Sequence, residues 1–117
     1  MNMKEICKEL INEIDSRTLN AIEKMNDSLN EPNNSELRTN AVVVLAININ
    51  TNKDQIKLIN QIIKDNKESE YINFFMKQKN LYWLKKIRRY YEATNEELVS
   101  TALENGFAMN RGDKNER

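Results

Sequence analysis

The sequence predicts an all-α fold, a compact bundle of four to five helices with a long amphipathic N-terminal helix. Apolar residues recur every three or four positions through most of the chain, the spacing that lines one side of a helix. The chain has only two glycines and one proline, far fewer than the many turns of an all-β fold need. Hydrophobic residues make up 39% and charged residues 31% of its 117 positions, which suits a single modest core under a well-solvated surface. A single helical domain is expected over residues 1–109, with residues 110–117 as a flexible polar tail.

The first helix is expected from about Met3 to Leu29. Met3, Cys7, Leu10, Ile11, Ile14, Ala21, Ile22, Met25 and Leu29 draw one stripe, and Glu5, Glu9, Glu13, Glu23 and Asp27 occupy the other side. Asn30 to Ser35 reads as a turn, because Pro32 forbids a smooth continuation. Asn33 or Ser35 is placed to cap the next helix, with Glu36 at capping-box distance from Asn33. Residues 37–49 contain the run Val42-Val43-Val44-Leu45-Ala46-Ile47. Its β-branched character suits a buried strand, but no second segment reads as a partner for one. A central helix is also apolar on all sides, and helix is the reading adopted, with strand left open for 41–49.

Thr51-Asn52 reads as a cap before a helix over Lys53–Asn66, buried through Ile56, Ile59, Ile62 and Ile63. Ser69 is expected to cap a segment from Glu70 to Tyr91, one helix or two broken near Asn80, with Phe74, Phe75, Leu81, Leu84, Ile87 and Tyr91 on its core side. Thr94-Asn95-Glu96-Glu97 has the form of a capping box and predicts a last helix, ended by Gly106.

The residue types argue against catalysis. There is no histidine, which removes the usual neutral-pH base and the commonest metal ligand. One cysteine without histidine excludes the ordinary tetrahedral zinc sites and Cys–His nucleophile pairs. Two isolated glycines make no phosphate-cradling loop. No catalytic residue, metal ligand or cofactor is therefore assigned. Cys7 lies in the apolar stripe and reads as a small core residue. The lone cysteine excludes an intrachain disulfide and, with no signal-peptide pattern at the start and no apolar run long enough to span a bilayer, points to a cytoplasmic setting.

The charge layout is more informative than its zero total. Residues 1–37 hold four basic and eight acidic side chains, residues 77–91 hold six basic and none acidic, and residues 92–117 hold three basic and six acidic. At about 100° per residue, Leu81, Leu84, Ile87 and Tyr91 share one side of a 77–91 helix. Lys79, Tyr82, Lys85, Lys86 and Arg89 share the other, with Trp83 and Tyr90 at one border and Lys77 and Arg88 at the opposite one. Lys79, Tyr82, Trp83, Lys85, Lys86 and Arg89 are the candidate partner-binding residues. The face has three readings: a docking surface for a protein, where Trp, Tyr and Arg are the usual hot-spot residues; a nucleic-acid contact through counterion release and base stacking; or a solvated face, or one turned to the acidic first helix.

Residues 84–99, Leu-Lys-Lys-Ile-Arg-Arg-Tyr-Tyr-Glu-Ala-Thr-Asn-Glu-Glu-Leu-Val, resemble the opening of a Cro/C1-type helix-turn-helix domain. The resemblance implies a basic helix followed by a second helix starting at Thr94. In that family a recognition helix comes next. Here Gly106 and a polar segment follow instead, so no DNA-contacting residue is carried over.

Together these features describe a non-catalytic, protein-binding regulator or inhibitor. The alternative is a nucleic-acid-binding regulator using the same basic, aromatic-edged helix over residues 77–91. The 19 asparagines and abundant Lys and Ile suggest an AT-rich genome. With the small size, they fit accessory proteins of phages and mobile elements, such as inhibitors of host defence. No membrane partner is expected, and the seam of the first helix is compatible with a homodimer.

Overall fold

A computed structural model describes residues 2–107, so the expected tail over 110–117 lies outside the described residues. The described residues are all-α, as the periodicity predicts, but they form three helices rather than four or five: α1 (Met3–Asn30), α2 (Ser35–Glu68) and α3 (Phe74–Glu104). Short turns force antiparallel neighbours, and each helix packs against the other two. The result is a flat rod of 59 × 33 × 18 Å with a radius of gyration of 17.4 Å. That exceeds the ~13 Å of a compact domain this size, so "compact" is corrected as well. Among the described residues no helix is long and apolar enough to cross a membrane.

Helix α1 begins where Asn2 accepts the Glu5 amide at 2.9 Å and Glu5 accepts the Asn2 amide in return, a complete capping box. At the next start the cap is Asn34, not Asn33 or Ser35. Its Oδ1 accepts from the amides of Glu36 and Leu37. Ser69 closes α2 instead of opening a helix at Glu70, and Asn73 caps α3 by accepting the Met76 amide at 2.9 Å. The segment 41–49 is helical throughout, which removes the strand alternative.

The two missing breaks have one cause. Thr51-Asn52 and Thr94-Asn95 sit in the middle of α2 and α3, where backbone amides are already bonded within the helix. With no Gly or Pro in either place, nothing interrupts the backbone, and the side chains turn to neighbouring helices. Arg17 of α1 donates to Asn48 Oδ1 at 3.3 Å and to Asn52 Oδ1 at 3.0 Å. Asn52 Nδ2 donates to Asn95 Oδ1 at 2.8 Å, and Asn95 Nδ2 to the Ile49 carbonyl at 3.2 Å. Asn48 Nδ2 is satisfied by the Val44 carbonyl at 2.8 Å. Asn52 has no solvent exposure.

This polar layer divides the core. On one side Ala21, Met25, Ala41, Leu45, Ile49, Leu98, Ala102 and Phe107 pack together. On the other are Cys7, Ile14, Ile59, Leu84, Ile87 and Tyr91. A smaller layer lies toward the α2–α3 turn, where Asn80 Nδ2 donates to Asn66 Oδ1 and Asn66 Nδ2 to the Lys77 carbonyl. Several expected core positions face solvent instead. Phe74 is 69% and Phe75 83% exposed, and Ile62 and Leu29 are about two-fifths exposed. Phe74 and Phe75 open α3 outside the two buried clusters.

At its far end α3 stops in a Schellman arrangement. Gly106, at φ 80°, donates to the Leu103 carbonyl, and Phe107 donates to the Ala102 carbonyl at 2.9 Å. The reversal returns the Phe107 ring to the core at 1% exposure. Arg38 lies 4.6 Å from the ring centroid and bonds the Gly106 carbonyl at 2.7 Å.

Three stability measurements follow. Asn52→Ala strands the Arg17 and Asn95 groups in the interior and is expected to lower unfolding free energy in a denaturant titration by about 1–3 kcal/mol. Gly106→Ala meets no atom within 4 Å of the added Cβ, so only the left-handed backbone opposes it, at about 1–2 kcal/mol. Phe107→Ala empties a core site and is expected to cost about 3–5 kcal/mol.

Candidate functional site

The face predicted over residues 77–91 lies on the outer side of α3. Leu84, Ile87 and Tyr91 are buried, which turns Lys79, Tyr82, Lys85, Lys86 and Arg89 to solvent. Trp83 is half-buried, packed against the core cluster around Cys7. The border residues tie the face to the fold. Tyr90 donates its hydroxyl to Asp15 of α1 at 2.5 Å, and Arg88 donates to Asn60 of α2 at 2.8 Å. Lys77 reaches back to the Lys67 carbonyl at 2.9 Å, satisfying the end of α2.

The aromatic and cationic groups are organised together. Tyr82 and Trp83 meet edge to face with centroids 5.1 Å apart. The Lys86 ammonium lies 5.1 Å from the Trp83 centroid and 5.7 Å from that of Tyr82. Such contacts hold a long side chain over the rings. Arg89 pairs with Glu96 of its own helix at 3.5 Å, both side chains largely exposed. Among the described residues no lysine or arginine of 77–91 pairs with a carboxylate of α1. The acidic helix therefore leaves the basic face unneutralised.

Phe75, expected on the core side, belongs to this face instead. It sits one heptad before Tyr82 and points to the same side. Tyr71, Phe74 and Met76 add exposure at the adjoining tip, where Tyr71 is 97% accessible. The seven-residue interval between Phe75 and Tyr82 was the available signal. The face also continues past Ala93 into Glu96 and Glu97, both exposed, because α3 is unbroken. This continuity removes the turn implied by the helix-turn-helix resemblance.

Antiparallel stacking gathers charge along the rod. The half holding residues 2–15 and 53–90 carries twelve basic and eight acidic side chains, and the half holding 16–52 and 91–107 carries three and eight. The molecule is positive at the α2–α3 turn and negative at the other end.

Cys7 is buried and donates to the Trp83 carbonyl at 3.6 Å. Burial pushes its thiol pKa up, and Lys86 opposes the shift only in part, so the thiolate is disfavoured. Among the described residues no group of three or more Cys, Asp or Glu side chains is placed to hold a metal ion.

The Tyr90–Asp15 hydrogen bond, reinforced by burial and the Asp15 charge, pushes the tyrosine pKa up to about 12. A raised pKa means the bond contributes fully below the ordinary tyrosine value of about 10. The contribution is lost as pH rises through about 12. Thermal melts from pH 7 upward are therefore expected to converge for wild type and Tyr90→Phe above pH ~10, with wild type more stable below. A gap independent of pH would remove the hydrogen bond as its cause.

No protein-family model, curated protein or solved structure matches this chain in comparison.

Proposed function

We propose that the chain is a non-catalytic protein-binding regulator or inhibitor that docks the outer face of α3 on an acidic surface of a protein partner. The observation that carries this reading is the open state of the face. Six cations lie from Lys77 to Arg89, Tyr82 protrudes among them and Phe75 just before them, and among the described residues only Arg89 is paired with a carboxylate, on its own helix. Exposed aromatics ringed by Lys and Arg match the composition of binding hot spots. Their partner has the complementary chemistry, an apolar hollow rimmed by Asp and Glu.

A protein fits this face better than a nucleic acid. The same side of α3 carries Glu96 and Glu97, which repel a phosphate backbone running along the helix. Trp83 is half-buried and covered by Lys86, leaving little free ring for base stacking. The zero net charge also lacks the cationic excess common in nucleic-acid binders.

The test is affinity purification from cells that naturally express the chain, comparing wild type with Lys85→Glu/Lys86→Glu/Arg89→Glu. A protein that co-purifies with wild type and falls by about tenfold or more with the reversal supports the reading. Glu23→Lys/Asp27→Lys, at the opposite end, is expected to retain it. Equal capture by wild type and the triple variant would contradict the assigned face. Retention on labelled DNA at moderate salt would transfer the face to nucleic acid.

A further inference from the structure

The outer side of α3 forms an exposed seam along the whole helix. Its positions alternate four and three residues apart from Phe75 to Leu103, and each is exposed. That interval is the heptad spacing by which one helix lies along another. In the first half the seam carries Lys79, Tyr82, Lys86 and Arg89; in the second it carries Ala93, Glu96, Ser100 and Leu103. The sign of charge reverses near the midpoint. The Arg89–Glu96 pair confirms that both halves share one side of the helix.

We infer that this seam pairs with the same seam of a second copy, antiparallel, in a two-fold symmetric dimer. Parallel pairing in register sets Lys86 against Lys86 and Glu96 against Glu96. Antiparallel pairing about residue 91 sets Lys86 against Glu96 of the second copy, twice by symmetry. It also lays Tyr82 along Ser100 and the Lys79 stem along Leu103. Two rods with opposite charge at their ends neutralise each other in the same orientation. Over residues 78–104 the two helices overlap by about 40 Å at 1.5 Å per residue. A strip one helix wide is a modest interface, held largely by charge and therefore weakened by salt. The dimer needs no other partner, so it stands or falls independently of the docking proposed above. It covers the same cations, and a partner would have to displace the second copy.

Two charge variants test the pairing without touching the core. Lys85→Glu/Lys86→Glu gives an acidic chain with negative charge on both sides of the 86–96 pairing, and Glu96→Lys/Glu97→Lys gives a basic chain with positive charge on both; all four side chains are exposed. In sedimentation at low salt and about 100 µM chain, above the Kd of a modest charged interface, wild type is expected to be dimeric. Each variant alone is expected to be monomeric, and their equimolar mixture a heterodimer tighter than wild type. Raising salt to about 0.5 M is expected to weaken the wild-type dimer by about tenfold or more. Register is read by oxidation of mixed variants. Tyr82→Cys in the acidic chain is expected to crosslink to Ser100→Cys in the basic chain, whereas Tyr82→Cys in both chains is not. A monomeric wild type with a monomeric mixture would overturn the inference, as would equal crosslinking of both cysteine pairs.

Discussion

The fold depends on a single buried exchange of hydrogen bonds, Arg17 to Asn52 to Asn95, one residue from each helix. Apolar contacts tolerate sliding by a turn, because one Leu or Ile replaces another at little cost. A buried amide does not, since a slip leaves its donor and acceptor empty at about 1–3 kcal/mol per group. The layer therefore sets the height of each helix against the other two. A single polar residue can play the same part in a coiled coil, at some expense of stability. The position of every charged residue on the surface follows from that alignment.

One consequence is the continuity of α3. Asn95 finds its partners in α2 and has no reason to break its own helix. A basic segment and an acidic segment are thereby joined on a single rigid side, one at each end. In a chain folded with a turn at Ala93, the two would point in unrelated directions. The α2–α3 turn then brings Lys57 and Lys64 of α2 to the same height along the rod as the α3 cations. Separation of charge along the rod is a product of topology, invisible in a net charge of zero.

Helical class, the extent of α1 and the burial of Leu84, Ile87 and Tyr91 were legible from periodicity alone. So was the solvent-facing side of residues 77–91, since four apolar positions fix which way the cations point. The number of helices was not. Thr-Asn before a helix-forming stretch has the same composition whether the Asn caps its own helix or bonds across to another, and only the tertiary neighbour decides. The abundant asparagines were read as a trace of genome composition, yet Asn48, Asn52, Asn66, Asn80 and Asn95 all bond at or near the interfaces between helices. Phe74 and Phe75 were misread for a related reason: apolar character places a residue in a core only where another element reaches far enough to cover it. The unbroken Val42–Ile47 run likewise leaves Val43 and Ile47 half or more exposed, because a three-helix rod buries only one side of α2.

Amide hydrogen exchange at residues 51–54 and 95–98 tests the organising role of the polar layer most directly. If Asn52 and Asn95 join three unbroken helices, these amides are mid-helix and bonded, and they exchange only through global unfolding. Were they helix starts, their first-turn amides would lack backbone partners and exchange orders of magnitude faster than those of Leu45 or Leu84. Fast exchange confined to these two stretches would contradict the layer, the continuity of α3 and the surface built upon it.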